Sequence, residues 1–135
     1  MDDTARDALL DALDLASAIG VDVNVTGVLP SEDPGRSVLA SAITECATNT
    51  VKHADGDTLY VNIKETDGGS IYIFHSNGTP PKETVRETGG LSSLRLLVEK
   101  EGGSMRIENI PELQLTITMP QSAGTSQLKK QKERQ

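Results

Sequence analysis

The stretch TECATNTVKHADG, residues 44–56, decides the fold because it completes the strongest helical pattern in the chain and carries three conspicuous polar residues. Glu45, Asn49 and Lys52 stand at positions i, i+4 and i+7, so on a helix they share one face. We expect one helix from Pro34 to about Ala54, whose apolar stripe is Val38, Leu39, Ala42, Ile43, Cys46, Ala47, Val51 and Ala54. The polar ridge beside this stripe is a candidate ligand site, although such charges taken alone are more often solvated surface.

Further helix and strand patterns flank this helix. Residues 4–18 repeat apolar side chains at helical spacing, with Thr4 as a candidate cap and Gly20 at the end. Valine alternates with polar residues over 21–26, which predicts a strand. Downstream, TLYVNIKE (58–65) and SIYIFHS (70–76) predict two strands joined by the turn TDGG. Leu91, Leu94, Leu97 and Val98 predict a third helix, and SMRIENI (104–110) and LQLTITMP (113–120) a final hairpin.

This order of elements predicts the fold class and the domain count. A chain of 135 residues is enough for one core. We expect an α+β two-layer sandwich, in which about three helices cover one face of a mixed, mostly antiparallel sheet. The segment NGTPPKETVRETGG, residues 77–90, predicts a long loop, and long loops in compact domains are usually functional. Residues 121–135 show no core-forming pattern and are predicted to be a disordered basic tail.

Charge and cysteine content exclude several classes of function. The last seven residues carry +3 of the formal net charge of −7, so the preceding part of the chain carries −10. An acidic body with three aromatic residues makes nucleic acid an unfavourable partner. The single Cys46 allows neither an internal disulfide nor a thiolate zinc cluster. No membrane span or signal peptide is visible, so we expect a cytoplasmic domain without direct membrane contact, or the cytoplasmic end of a membrane-anchored sensor.

Two glycine motifs accompany the polar ridge. In HSNGTPP (75–81), Gly78 follows a strand and would let the backbone approach a flat ligand closely, although an isolated Asn-Gly is more often a simple turn. In TGGLSSLRLLVEKEGG (88–103), Gly89 and Gly90 lead into a helix, whose free amides and dipole favour a phosphate group, although a plain connection has the same pattern. Each motif alone is weak evidence for a ligand site, and the interpretation depends on the order and spacing of the motifs along the chain.

Three stretches together resemble a known family. ECATNTVKHADGDTLYVNI (45–63), IYIFHSNGTPP (71–81) and GGLSSLRLLVEKEGGSMRIEN (89–109) resemble, in order and spacing, the ATP-binding catalytic domain of sensor histidine kinases. That domain belongs to the ATPase superfamily of gyrase, Hsp90, histidine kinases and MutL, whose Bergerat-type fold the resemblance implies here. The resemblance covers residues 21–120, and it is closest to the group with a short lid, whose helix motif ends in Lys-His-Ala.

The resemblance implies a role for each polar residue of the ridge. Asn49 matches the asparagine that binds Mg2+, an ion that prefers oxygen ligands. Glu45 matches the acidic residue one turn earlier, which activates water in hydrolysing relatives and orders the metal's water shell in kinases. Lys52 matches a basic residue that meets the phosphates, and His53 stands where the family often has an aromatic residue or histidine near the ribose or phosphates.

The resemblance assigns the glycine motifs as well. Gly78 matches the glycine under adenine, while Gly89 and Gly90 match the glycine box at the end of the lid, with Leu91 starting the helix behind it. Ser76 occupies the position of an aspartate that accepts the adenine amino proton in the family. A serine brings no charge, and the loss of a charge-assisted bond weakens binding by about 1–2 kcal/mol. Thr88 also replaces a usual glycine.

The implied function is transfer of the ATP γ-phosphate to a histidine on a domain absent from this chain. Residues 1–20 would then be the remnant of the connection to that dimerisation domain, and the intact protein, a homodimer, would pass its phosphate to a response regulator. One alternative is a nucleotide-independent docking domain of the same fold, which Ser76 and Thr88 favour. Another is a serine kinase of the anti-sigma-factor type, which shares the superfamily motifs and differs mainly in its target.

Overall fold

A computed structural model describes residues 7–32, 34–54, 56–77, 90–108 and 114–120, with the backbone alone for His53 and Ala54. The elements, in chain order, are α1 (Ala8–Ala18), β1 (Asp22–Thr26), α2 (Gly35–Asn49), a π-helical segment (Thr50–Ala54), β2 (Thr58–Thr66), β3 (Gly69–Ser76), α3 (Gly90–Lys100), β4 (Ser104–Glu108) and β5 (Gln114–Pro120). The predictions for Gly78, Thr88, Gly89 and the tail 121–135 lie outside the described residues. None of the helices in the described part of the chain is long and apolar enough to span a bilayer.

The five strands form one mixed sheet in the order β1-β2-β3-β5-β4. β1 pairs with β2 in parallel, and the remaining three pairs are antiparallel. Along β2, Leu59, Val61 and Ile63 are buried whereas Tyr60 and Lys64 are exposed, so one face of the sheet is covered. The covered face and the three helices share one hydrophobic core. The predicted two-layer α+β fold is therefore confirmed.

The first helix begins later than predicted. Asp7, not Thr4, caps it: the backbone there is extended, and a carboxylate oxygen accepts from the N–H of Leu9 at 2.9 Å. The same carboxylate pairs with Arg36, at the start of α2. These contacts hold the pKa of Asp7 below its usual range, the hydrogen bond from Arg36 contributing most. The cap is thus set by a residue 29 positions away, which a local sequence pattern does not show.

The first helix is also part of the domain core. Leu9, Ala12 and Ala16 are buried, and they belong to the same hydrophobic cluster as α2 and the sheet. The segment 1–20 was expected to be a connection to another domain. In the structure, the described part of this segment contains α1, which packs into the same core as α2 and the sheet.

The central helix ends differently from the prediction. The sequence pattern predicted one helix to about Ala54, but α2 ends at Asn49 and a π-helical segment, Thr50–Ala54, continues it. At this junction Thr50 is buried, and Val51, expected on the apolar stripe, is 45% exposed. Burial of Thr50 is possible because its hydroxyl donates to the carbonyl oxygen of Cys46 at 2.8 Å.

The turn between β2 and β3 generates a stability prediction. Gly69 has φ +151°, and a Cβ added there would lie 1.9 Å from the backbone oxygen of Met119. Because backbone on the neighbouring strand cannot move aside cheaply, Gly69→Ala is expected to lower the free energy of unfolding by about 2 kcal/mol or more. Chemical denaturation measures the change.

Gly68 supplies the matched control, since a Cβ there would meet nothing within 4 Å. Gly68→Ala should be neutral or stabilising by up to about 1 kcal/mol. Equal stability of the two variants would show that β3 and β5 are not paired at Gly69 and Pro120 as described.

Candidate functional site

A cavity opens between the C-terminal half of α2, the start of α3 and the sheet. The enclosed space measures about 30 Å³, below the ~300–1,000 Å³ of small-molecule sites, and the whole hollow out to its open mouth measures about 420 Å³. The lining residues are Cys46, Asn49, Thr50, Leu59, Phe74, His75, Ser76, Leu91, Ile107 and Leu115. Three predicted site residues, Asn49, Ser76 and Leu91, therefore meet at one cavity.

The walls of the cavity are mainly apolar. Leu59, Phe74 and Leu115 come from three neighbouring strands, whose alternation turns these side chains toward the helices. Leu91 closes the cavity from α3. Such a lining suits the faces of a flat apolar or aromatic group, while the few polar side chains fix its orientation.

The described cavity lining contains no Asp, Glu, Lys or Arg side chain. Among the residues that line it, Asn49 offers an amide and Thr50 and Ser76 offer hydroxyls. Cys46 adds a thiol, whose pKa burial raises far above its usual range, with a smaller contribution from the carboxylate of Glu45. The thiol therefore stays protonated at neutral pH and is a poor nucleophile.

Glu45 faces a second hollow, which adjoins the cavity. This groove, of about 520 Å³, runs between α1 and α3 over α2, and both Glu45 and Gly90 line it. The two residues are in direct contact, because a Cβ added to Gly90 would lie 1.7 Å from a carboxylate oxygen of Glu45. Because Gly90 has no side chain, the Glu45 carboxylate can occupy the space beside it. The next residue, Leu91, lines the cavity.

The predicted ridge is only partly assembled at the cavity. Asn49 lines the cavity and Glu45 the adjoining groove, whereas Lys52 is exposed in the π-helical segment and lines neither. The side chain of His53 lies outside the described part of the structure, as do Gly78 and Gly89. The wider π turn explains why Lys52 departs from the α-helical spacing that placed it on one face with Asn49.

Sequence reasoning missed how the end of β3 is held. The Asn77 side-chain oxygen accepts from the N–H groups of Asp57 and Thr58, at 3.1 and 3.0 Å. Its amide donates to the Asp57 carboxylate at 2.9 Å, and this hydrogen bond, followed by that of Thr58, holds the pKa of Asp57 below its usual range. Asn77 thereby ties the end of β3 to the start of β2 and positions Ser76, which precedes it.

Thr50 is the second residue that the sequence interpretation did not single out. It is 2% exposed and lies in the cavity wall between Asn49 and the sheet. Its sequence signals are its place directly after Asn49 and its helical spacing, since it follows Cys46 by four residues and Ile43 by seven and so falls on the apolar stripe.

The contact between Glu45 and Gly90 predicts a coupled pair of substitutions. Gly90→Ala should be neutral or destabilising in the natural chain, because the new methyl group displaces the Glu45 carboxylate. In a Glu45→Ala background the same change should stabilise by up to about 1 kcal/mol, the helix-propensity gain of alanine over glycine. A double-mutant cycle by chemical denaturation should give a coupling of at least about 0.5 kcal/mol, and additive effects would contradict the contact.

Comparisons with known proteins identify the fold. No protein-family model and no curated protein sequence matches the chain. Among solved structures, the chain is similar to the ATP-binding domain of PrrB from Mycobacterium tuberculosis, with a TM-score of 0.63 and 22% identity over 87% of this chain and 93% of that one.

Two histidine kinases show the same likeness. The Erythrobacter litoralis EL346 blue-light activated histidine kinase matches with a TM-score of 0.63 and 18% identity, over 87% of this chain and 42% of that one. Acinetobacter baumannii histidine kinase AdeS matches at 0.57 and 17%, over 85% and 60%. The chain thus spans about half the length of these two kinases. Together these likenesses show that the chain has the fold of the histidine kinase ATP-binding domain.

Proposed function

We propose that this chain is the ATP-binding catalytic domain of a two-component sensor histidine kinase. The observation that carries the proposal is the cavity where Asn49, Ser76 and Leu91 meet, within a fold shared with an ATP-binding domain. Three separate sequence motifs, far apart in the chain, supply these residues. A cavity assembled from all three is what a nucleotide site requires and what solvated helix surface does not explain.

The site residues form two groups, one for the base of the nucleotide and one for its phosphates. The apolar slot of Leu59, Phe74 and Leu115 receives the adenine ring, and Ser76 meets its edge. The phosphates extend toward Asn49, Glu45 and the start of α3, where the free helix amides favour negative charge. Exposed Lys52, on the π-helical segment, is free to approach the phosphates from solvent.

The residues present fit magnesium as an ion that arrives with the phosphates. Asn49 and Glu45, one turn apart on α2, offer an amide oxygen and a carboxylate, and no group of three or more His, Cys, Asp or Glu side chains that could hold a metal occurs within the described ranges. Mg2+ typically takes one or two protein ligands beside phosphate oxygens and water. When bound, it would neutralise charge on the transferring phosphoryl group.

The phosphoryl acceptor in this proposal is a histidine of a separate dimerisation domain, from which a response regulator receives the phosphate. His75 is not proposed as the acceptor, because it lines the cavity assigned to the base, where its ring stacks on Tyr60 with the ring centroids 5.0 Å apart. Phosphoryl transfer depends mostly on positioning and charge stabilisation. The domain alone should therefore bind nucleotide but turn it over slowly.

A second candidate is a nucleotide-independent docking domain of the same fold. Ser76 is the observation that favours it, because none of the described residues lining the cavity carries the carboxylate that recognises adenine in the family. Titration calorimetry with ATP and Mg2+ separates the two candidates. Saturable binding supports the kinase domain, and no binding supports the docking domain.

Asn49→Ala tests the proposed metal and phosphate contact. We expect ATP affinity in the presence of Mg2+ to fall at least tenfold, because hydrogen bonds to charged groups contribute about 1.5–3 kcal/mol. Removing Mg2+ should lower the ATP affinity of the natural protein and leave the ATP affinity of the Asn49→Ala variant unchanged. Asn62→Ala, on β2 outside the cavity, is the matched control and should bind normally. Normal Mg2+-dependent affinity in the Asn49 variant would exclude this role.

Ser76→Asp tests the base contact. Restoring a carboxylate at this position should strengthen ATP binding about tenfold, since a charge-assisted hydrogen bond replaces a neutral one. Ser104→Asp adds the same charge on the exposed edge strand β4 and should have no effect. If neither the natural chain nor the Ser76 variant binds ATP, the docking domain is the better description.

A further inference from the structure

We propose that Thr50 is a specificity-determining residue of the cavity, selecting nucleotides whose base presents an amino group rather than a carbonyl oxygen. The inference rests on the proposed function, because it assigns the end of the cavity to the base. It concerns a residue that neither the motif spacing nor the family resemblance singled out. The argument depends on where the hydroxyl proton of Thr50 goes.

Thr50 is the most buried polar residue of the cavity wall. It is 2% exposed, whereas Asn49, Ser76 and Cys46 are all half-buried. A buried hydroxyl has to be hydrogen-bonded or it costs stability. Its side chain lies on the core side of the helix, next to the cavity, while Val51 turns outward.

The proton of the Thr50 hydroxyl is already used in a hydrogen bond within the helix. The hydroxyl donates to the Cys46 carbonyl oxygen at 2.8 Å. A hydroxyl has one proton and two lone pairs, so toward the cavity this group acts only as an acceptor. A group that can only accept forms a hydrogen bond with an N–H of a ligand. It is repelled by a ligand carbonyl oxygen, which is also an acceptor.

Ser76 does not impose the same selection. Its hydroxyl has no hydrogen bond among the contacts described for β3, and it can rotate to donate or to accept. The Cys46 thiol stays protonated and is a weak hydrogen-bonding group. Thr50 is thus a group of fixed acceptor character in the described cavity wall, and in this proposal it takes over part of the task that a carboxylate at position 76 performs in the resembling family.

The test compares two nucleotides that differ at this edge of the base. ADP carries an exocyclic amino group where IDP carries a carbonyl oxygen. Titration calorimetry with Mg2+ is applied to the natural chain, Thr50→Val, Thr50→Ser and Ser76→Ala. Valine copies the shape of threonine, and the Cys46 carbonyl keeps the hydrogen bond from the backbone N–H of residue 50. Circular dichroism and denaturation check that each variant folds.

The natural chain should bind ADP about tenfold more tightly than IDP, the effect expected for one hydrogen bond made and one acceptor opposed. Thr50→Val should bring the ratio of ADP to IDP affinity close to one, chiefly by weakening the binding of ADP. Thr50→Ser should leave this ratio unchanged. Ser76→Ala should weaken the binding of both nucleotides and preserve the ratio of their affinities.

Two results would overturn the inference while leaving the proposed function intact: equal binding of ADP and IDP by the natural chain, or an unchanged ratio in Thr50→Val. If the natural chain binds neither nucleotide, the proposed function itself fails, and this inference with it. The two failures are therefore distinguishable in the same titrations.

Discussion

The packing of α2 against the sheet and both other helices is the contact on which the rest of the structure depends. Val38, Leu39, Ala42, Ile43 and Ala47 are buried along this one helix, so α2 supplies a large share of the hydrophobic core. Val38, Leu39 and Ile43 are each expected to contribute about 1.5–3 kcal/mol by leaving water, and each alanine about 0.8 kcal/mol or less. The same burial fixes the rotation of α2, and thereby determines that Asn49 reaches the cavity while Glu45 meets Gly90.

The end of α2 shows how a core helix also serves a site. Thr50, at the junction of α2 and the π-helical segment, is buried, and its hydroxyl is satisfied by the hydrogen bond to the Cys46 carbonyl oxygen. Single π turns inside helices are frequent at functional sites. Here the change of helix geometry begins at a polar residue of the cavity wall.

Much of the fold was predictable from periodicity, because each helix and strand buries one face. The alternation of Val21, Val23 and Val25 and the spacing of Leu91, Leu94 and Val98 were sufficient for correct elements. What local patterns could not show were contacts distant in sequence, such as Asp7 with Arg36, and the position of β5 between β3 and β4. For the site, the predicted residues Asn49, Ser76 and Leu91 line one cavity, whereas Thr50 lines it without having been predicted and Lys52 lies outside it.

The order of the strands has a consequence for solubility. β1 and β4 are the outermost strands, and each is only five residues long. Asp22 projects from one and Arg106 and Glu108 from the other, all exposed. Adding a strand from another molecule at either margin would bring these charges into a cross-strand ladder, at a cost in desolvation. The charges on these two short strands therefore disfavour edge-to-edge association of the sheet.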